Sequence, residues 1–363
     1  MVTFLIDEPQ RTLTSSAPLL DAIARELPVA NTLGLIDDLI PLLHDLDPDC
    51  IPSGAPTMRA FMIVSMLAHS YIWSMPEGRN EIPEILASPW VQLASRCGLP
   101  PVLTYSSYVL DNLAPCLVDD ETVPAVTFSG SPDEIWFIRV HQLIERAGSG
   151  IVTTASRRAR KTPDGNDVYL DAETIASSLE AMCVEARRMG ELCDPYIYFQ
   201  RIRRFLYGWK SNPTFGARRM TFCGVASADL PADGQYSGET GAQSPLIPLA
   251  DELLGVQHSE PFFSYATDMR SYMYPAHRAL VATTSQCGLA SQAIGTNDAR
   301  RQYRRALEAL REFRSIHLAF ANEYIVKQAG GANQQKSMGT GGSHVIAMLS
   351  SARHAVEDRL RAV

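Results

Sequence analysis

The chain has 363 residues, 46% hydrophobic and 20% charged, enough apolar material for a large buried core and too much for a disordered or low-complexity protein. Its 32 Lys and Arg against 40 Asp and Glu leave a net charge of −8, and the arginines are spread among acidic residues. The concentrated positive face that nucleic-acid binding needs is therefore absent, and no stretch approaches the roughly 20 uninterrupted apolar residues of a membrane helix.

From the N-terminus, "MVTFLIDEPQ" has neither the basic segment nor the long apolar run of a secretory leader, so cytoplasmic residence is expected. The stretches "LLDAIAREL" (19–27) and "TMRAFMIVSMLAHSYIWSM" (57–75) repeat apolar residues at three- and four-residue steps and predict helices. "VPAVTFSG" (123–130) is the best candidate for a strand or linker. A cut there divides the chain into a smaller helical domain, residues 1–126, and a larger one, residues 127–363.

The second part opens on "SPDEIWFIRVHQLIERAG". Ser131 is placed to cap, Pro132 occupies the first helical position, and Glu134 stands at the capping-box acid position. Trp136, Phe137, Val140, His141 and Ile144 then form an apolar face interrupted by one imidazole. A lone histidine there reads first as a satisfied core residue. The basic tract "ASRRARK" (155–161) and the following "TPDGND" read as a solvated surface segment.

Helical periodicity resumes in 173–192 and in "YIYFQRIRRFLYGWKSNP" (196–213), where Phe199, Arg203 and Leu206 share a face that carries Arg203 inward while Arg201 and Arg204 reach solvent. A buried guanidinium needs an anion, either an internal carboxylate or a substrate's. The stretch 222–245 is rich in small and polar residues, and a loop this long in a compact helical protein often lines a site.

Near the C-terminus, 297–326 is a long helix with Tyr303, Leu307, Leu310, Phe313, His317, Phe320 and Tyr324 on one stripe, again apolar apart from one imidazole. Two such histidines on separate helices suit a flat apolar cofactor held between them, and haem is the natural candidate. Zinc competes poorly, because no HExxH or paired-cysteine spacing is present. His258, His277 and His344 read as structural. The loop 327–344 contains "GTGGS", which lacks the lysine and upstream strand of a phosphate-binding loop. Seven cysteines, odd in number and without CxxC, read as reduced thiols.

Together these segments resemble the indoleamine/tryptophan 2,3-dioxygenase superfamily over most of the chain, and its indoleamine branch most closely. The stretches that carry the resemblance are "LPPVLTYSSYVLDN", "RRFLYGWKSNP", "GAQSPLIPLADELLGVQ", "DMRSYMYPAHRALV", "FRSIHLAFANEYI" and "GTGGS", in that order. The resemblance implies an all-α fold: a large helical haem-binding domain under a smaller, mostly helical cap. It implies haem b with His317 as proximal iron ligand, O2 as co-substrate, and a reductant that keeps the iron ferrous.

It further implies Arg203 on the carboxylate of L-tryptophan or a related indole, and Tyr105, Phe137, Tyr198 and Phe199 around the distal pocket. Thr340 stands near the substrate ammonium, Gly238, Thr240 and Gly241 on the backbone beside the haem edge, and Asp251 with Arg314 as a pair linked to a propionate. His141 departs from the animal indoleamine branch, where a small hydroxyl residue is common, and matches the tryptophan dioxygenase branch, which implies an acceptor for the indole N–H. Tyr108 and Tyr198 are a second departure, bearing on pocket volume. The expected activity is cleavage of the indole C2–C3 bond to N-formylkynurenine. A relative acting on another indole, an O2-binding haem protein without turnover, and a purely structural helical protein are the competing readings. No nucleic acid or membrane is expected as a partner, and neither the oligomeric state nor the nature of the reductant is specified.

Overall fold

The computed structural model describes residues 3–5, 10, 12–13, 17–115, 122–160, 167–289, 296–330 and 338–363. Cys116, most of "TPDGND" and residues 331–337 of the C-terminal loop lie outside them. The fold is all-α. In chain order the helices are α1 (Pro18–Leu33), α2 (Ile36–Leu39), α3 (Ala55–Ile72), α4 (Glu84–Cys97), α5 (Pro132–Ala147), α6 (Ser149–Arg160), α7 (Asp167–Arg187), α8 (Pro195–Ile197), α9 (Leu246–Leu254), α10 (Phe262–Met269), α11 (Pro275–Thr284), α12 (Asn297–Ala321) and α13 (Val345–Arg361).

Before residue 126, α3 packs against both α1 and α4. Beyond it, α12 lies against α7 and α13, and α5 against α7. The two groups are tied by a short backbone pairing. Strand β1 (Glu81–Ile82) runs parallel to a strand from the second group, Thr221–Phe222. The segment 123–130 is a linker more than a strand: only Thr122–Val123 pairs, antiparallel with Ala114–Pro115. His69 makes a second tie. Buried on α3, it contacts the Phe205 carbonyl through Nδ1 at 2.7 Å and accepts the Leu103 N–H through Nε2 at 2.9 Å.

Helix α5 starts as its sequence specifies, with Ser131 Oγ accepting the Glu134 N–H at 3.2 Å. The Glu134 carboxylate does not complete a capping box. It turns back past the cap to accept from the Phe128 and Ser129 N–H groups and the Tyr108 hydroxyl, all four residues being drawn into the core or its edge. The basic tract is also more than a solvated surface: Arg158 is buried, donating to Asp171 at 2.7 Å and to the Cys287 carbonyl at 2.8 Å. A buried guanidinium is tolerable there because a carboxylate meets it. The six described cysteines are free thiols. Among the described residues no helix is long and apolar enough to cross a membrane.

Candidate active site

One cavity gathers most of the residues singled out above. It lies between α5, α7 and α12 and under the loops around 240 and 340. Its walls are mainly apolar, with Ile144, Met182, Ala186, Leu246, Phe313, Ile316 and Phe320 among them. Its polar lining comprises Tyr105, His141, Glu145, Tyr198, Arg203, Glu239, Thr240, Ser244, His317, Thr340 and Ser343, with Gly241 between them.

Helix α5 presents two apolar faces, not one. Trp136 and Val140 are buried, and the Trp136 indole donates to the Arg188 carbonyl at 2.8 Å. Phe137, His141, Ile144 and Glu145 turn to the cavity. The 3.6-residue period separates these sets by about 100° per residue, which a single-face reading merges. Phe137 stacks on Tyr198, ring centroids 4.7 Å apart, and touches the His141 ring at 4.5 Å.

His141 Nδ1 lies 2.8 Å from the Phe137 carbonyl oxygen. Burial lowers its pKa, and the Phe137 carbonyl opposes that only in part. Below it in the cavity wall, Tyr105 donates its hydroxyl to Glu145 at 2.9 Å, and Ser244 donates to the same carboxyl oxygen at 2.6 Å. Burial pushes Glu145 up to about 7 against these two donors.

His317, on α12, keeps much of its surface open, and that surface lines the cavity. Among the described residues it makes no hydrogen bond. Burial by the surrounding protein drives its pKa down to about 4, with His141 and Arg314 adding positive charge nearby. A neutral imidazole that opens on an apolar slot is a donor that would hold a haem iron. Among the described residues no three His, Cys, Asp or Glu side chains cluster as ligands for a bare ion.

Arg203 is buried on the cavity wall, but not on a regular helix. Residues 198–202 form a π-turn and 203–206 a tight 3₁₀ turn, so the face drawn from helical spacing does not hold. Its guanidinium donates to the Tyr207 hydroxyl and the Met338 carbonyl. Phe199 is not on the cavity wall; its ring lies 5.3 Å from the Arg203 guanidinium carbon. Arg204, expected in solvent, is half-buried and donates to the Trp73 carbonyl.

Gly238, Asp251 and Arg314 also stand off the cavity wall. Gly238 passes against Gly208 so closely that a Cβ on it would sit 2.1 Å from the Gly208 nitrogen, so its close approach is to the chain's own backbone. Arg314 Nη2 lies 2.6 Å from both Asp251 oxygens, and His258 Nε2 lies 2.9 Å from one of them. Burial pushes the Asp251 carboxyl up, and Arg314 with His258 outweigh it, holding it below its ordinary value. His258 thus has the structural place expected of it.

Comparison with known proteins identifies the family. The family model for indoleamine 2,3-dioxygenase matches residues 2–359. The chain belongs to the indoleamine 2,3-dioxygenase family. It is 31% identical to the indoleamine 2,3-dioxygenase of Aspergillus candidus, over 81% of this chain and 78% of that one. It is 30% identical to the indoleamine 2,3-dioxygenase of Saccharomyces cerevisiae, over 78% and 67%. A more distant relative, 27% identical over 92% and 82%, is the 6-hydroxytryptophan 2,3-dioxygenase of Fusarium equiseti. The protein is therefore a dioxygenase of the indoleamine 2,3-dioxygenase family, and that family is haem-dependent in general.

Sequence reasoning passed over Glu145, Glu239, Ser244 and His69. The first three lie on or beside segments already flagged, but a carboxylate in a polar loop or at a helix end has no periodic signal. His69 sits in a helix buried on all sides, where spacing identifies no privileged face.

Proposed function

We propose that this protein is a haem-dependent dioxygenase that adds both atoms of O2 across the indole C2–C3 bond of L-tryptophan, giving N-formylkynurenine. The observation that supports it best is the meeting of His317, His141, Arg203 and Thr340 on one apolar cavity. His317 would hold the haem through its imidazole, among apolar side chains of α7, α9 and α12. When bound, haem b supplies the ferrous iron that activates O2, and an external reductant keeps it ferrous.

The chain's own residues position the substrate. Arg203 takes the carboxylate with a fork-shaped donor held in place by Tyr207 and Met338. Phe137, backed by Tyr198, offers a flat wall for the indole. His141, neutral through burial, accepts the indole N–H. Thr340 brings a hydroxyl to the amino-acid end, and Asp251 with Arg314 braces α12 three residues before His317. Fixing the ring and the carboxylate at once converts binding energy into orientation. Residues 1–126 act as the cap, contributing Tyr105 to the cavity, and 127–363 as the haem-binding domain. Free cysteines fit a reducing, cytoplasmic compartment.

A hydroxylated tryptophan is the second reading, favoured by the relative that bears that name and by the Glu145 carboxyl on the cavity wall, which could accept a ring hydroxyl. Both are tested by reducing the haem-loaded protein without air, admitting O2 with each indole in turn, and following by mass spectrometry the gain of two oxygen atoms. Product from neither substrate would overturn the proposal.

A further inference from the structure

Glu239 is the cavity residue that the reading above leaves unused. It is 4% exposed, yet among the described residues its carboxyl makes no hydrogen bond and no ion pair. Its backbone N–H is tied to the Leu206 carbonyl at 3.0 Å, which places it one short turn from Arg203. Arg203 and Glu239 both act electrostatically on the Tyr198 hydroxyl, and Glu239 also acts on those of Tyr105 and Tyr108. The guanidinium and the carboxyl thus both line the cavity beside Tyr198, and no hydrogen bond or ion pair joins the two.

A buried carboxyl without a partner is costly when ionised, so it either keeps its proton or waits for a cation. Burial pushes Glu239 up to about 8. An anion-binding and a cation-binding side chain lining one apolar slot match the head of an α-amino acid, whose carboxylate and ammonium sit on a single carbon.

We propose that Glu239 takes the α-ammonium of the substrate whose carboxylate Arg203 holds, so that the chain's own side chains select a zwitterion. This rests on the indole amino-acid reading given above. Glu239 is then a specificity-determining residue, and Thr340 a neutral hydroxyl beside the same group. On binding, the ammonium displaces the carboxyl proton to solvent.

The test is calorimetric binding to the haem-loaded protein, with L-tryptophan, tryptamine and indole-3-propionate as probes. Tryptamine lacks the carboxylate and indole-3-propionate the ammonium. E239Q keeps the shape and removes the charge. It should weaken L-tryptophan and tryptamine by at least about tenfold, the scale of one charge-assisted contact, and leave indole-3-propionate unchanged or tighter. Equal weakening of all three, or of none, overturns the assignment alone. Wild-type protein that binds none of the three overturns the indole reading and this assignment with it.

A second measurement needs no variant. At pH 7, in buffers of differing ionisation enthalpy, wild-type protein should release more protons on binding L-tryptophan than on binding indole-3-propionate. The tyrosines on which the Glu239 carboxyl acts are Tyr105, Tyr108 and Tyr198, and the other titratable or charged groups of the wall, Arg203, His141, Glu145, His317 and Tyr324, meet both ligands. Equal proton release would overturn the assignment even if E239Q failed to fold.

Discussion

The 2.8 Å contact between His141 Nδ1 and the Phe137 carbonyl fixes which imidazole nitrogen carries the proton. A carbonyl oxygen only accepts, so Nδ1 donates, and in the neutral ring Nε2 is left with its lone pair. A histidine in the cavity is thereby committed as an acceptor before any ligand arrives.

Because burial depresses the His141 pKa, the acceptor survives below the pH at which an ordinary histidine, near 6.5, would protonate. The acidic limb of kcat/KM for tryptophan should therefore fall below that value. His141→Ala should lower kcat/KM and remove the limb while retaining haem. A pH profile identical to wild type would dismiss the role.

His317→Ala should abolish stable haem binding, read from the Soret band and haem content of purified protein, with the helical far-UV signal preserved. Spectra indistinguishable from wild type would rule out His317 as the axial ligand.

For Arg203→Ala the expected loss is about 2–4 kcal/mol in tryptophan binding, with haem retained. Lysine at 203 should recover only part of it, because an ammonium cannot reproduce the planar fork. Titration of tryptophan into both variants decides this.

Asp251 and Arg314 form a buried pair, and removing one partner strands the other. Asp251→Asn should cost on the order of 3 kcal/mol in denaturant unfolding. Since the folded-state pKa of Asp251 is depressed, its contribution is present above about pH 4, the unfolded value, and is lost as pH falls through the lower folded value. Acid should therefore narrow the gap between variant and wild type.

His69→Ala should destabilise by about 2–4 kcal/mol, leaving the Leu103 N–H and the Phe205 carbonyl without a partner. Burial holds the His69 pKa down to about 4, so between pH 6.5 and 4 the unfolded wild-type chain takes up a proton that the folded one refuses. Wild type loses stability over that window and the alanine variant does not, so their difference should shrink as pH falls. A constant difference would contradict the buried, neutral state.

The long helices were legible because amphipathic periodicity is a local property: α1, α3, α5, α7 and α12 all fall where apolar spacing puts them. His317 and His141 stood out as interruptions of that pattern. Arg203 was found for the same reason, although the π-turn that presents it depends on tertiary contacts that spacing cannot express. Glu239 was not found, because an acid in a polar loop becomes conspicuous only after the fold has enclosed it. The buried Arg158 was hidden likewise, its partner Asp171 lying on the next helix.

The crossing of Gly208 and Gly238 has a consequence for how this site can change. Each glycine lies within two residues of a segment that bears a charge-reading group, and each is denied a side chain by the other's backbone. The separation of Arg203 and Glu239 is thus set by two absent methyl groups, in the manner of a gauge block. New substrate preference must come from exchanging side chains around a fixed span, since a larger residue at either crossing point would spread the jaws themselves.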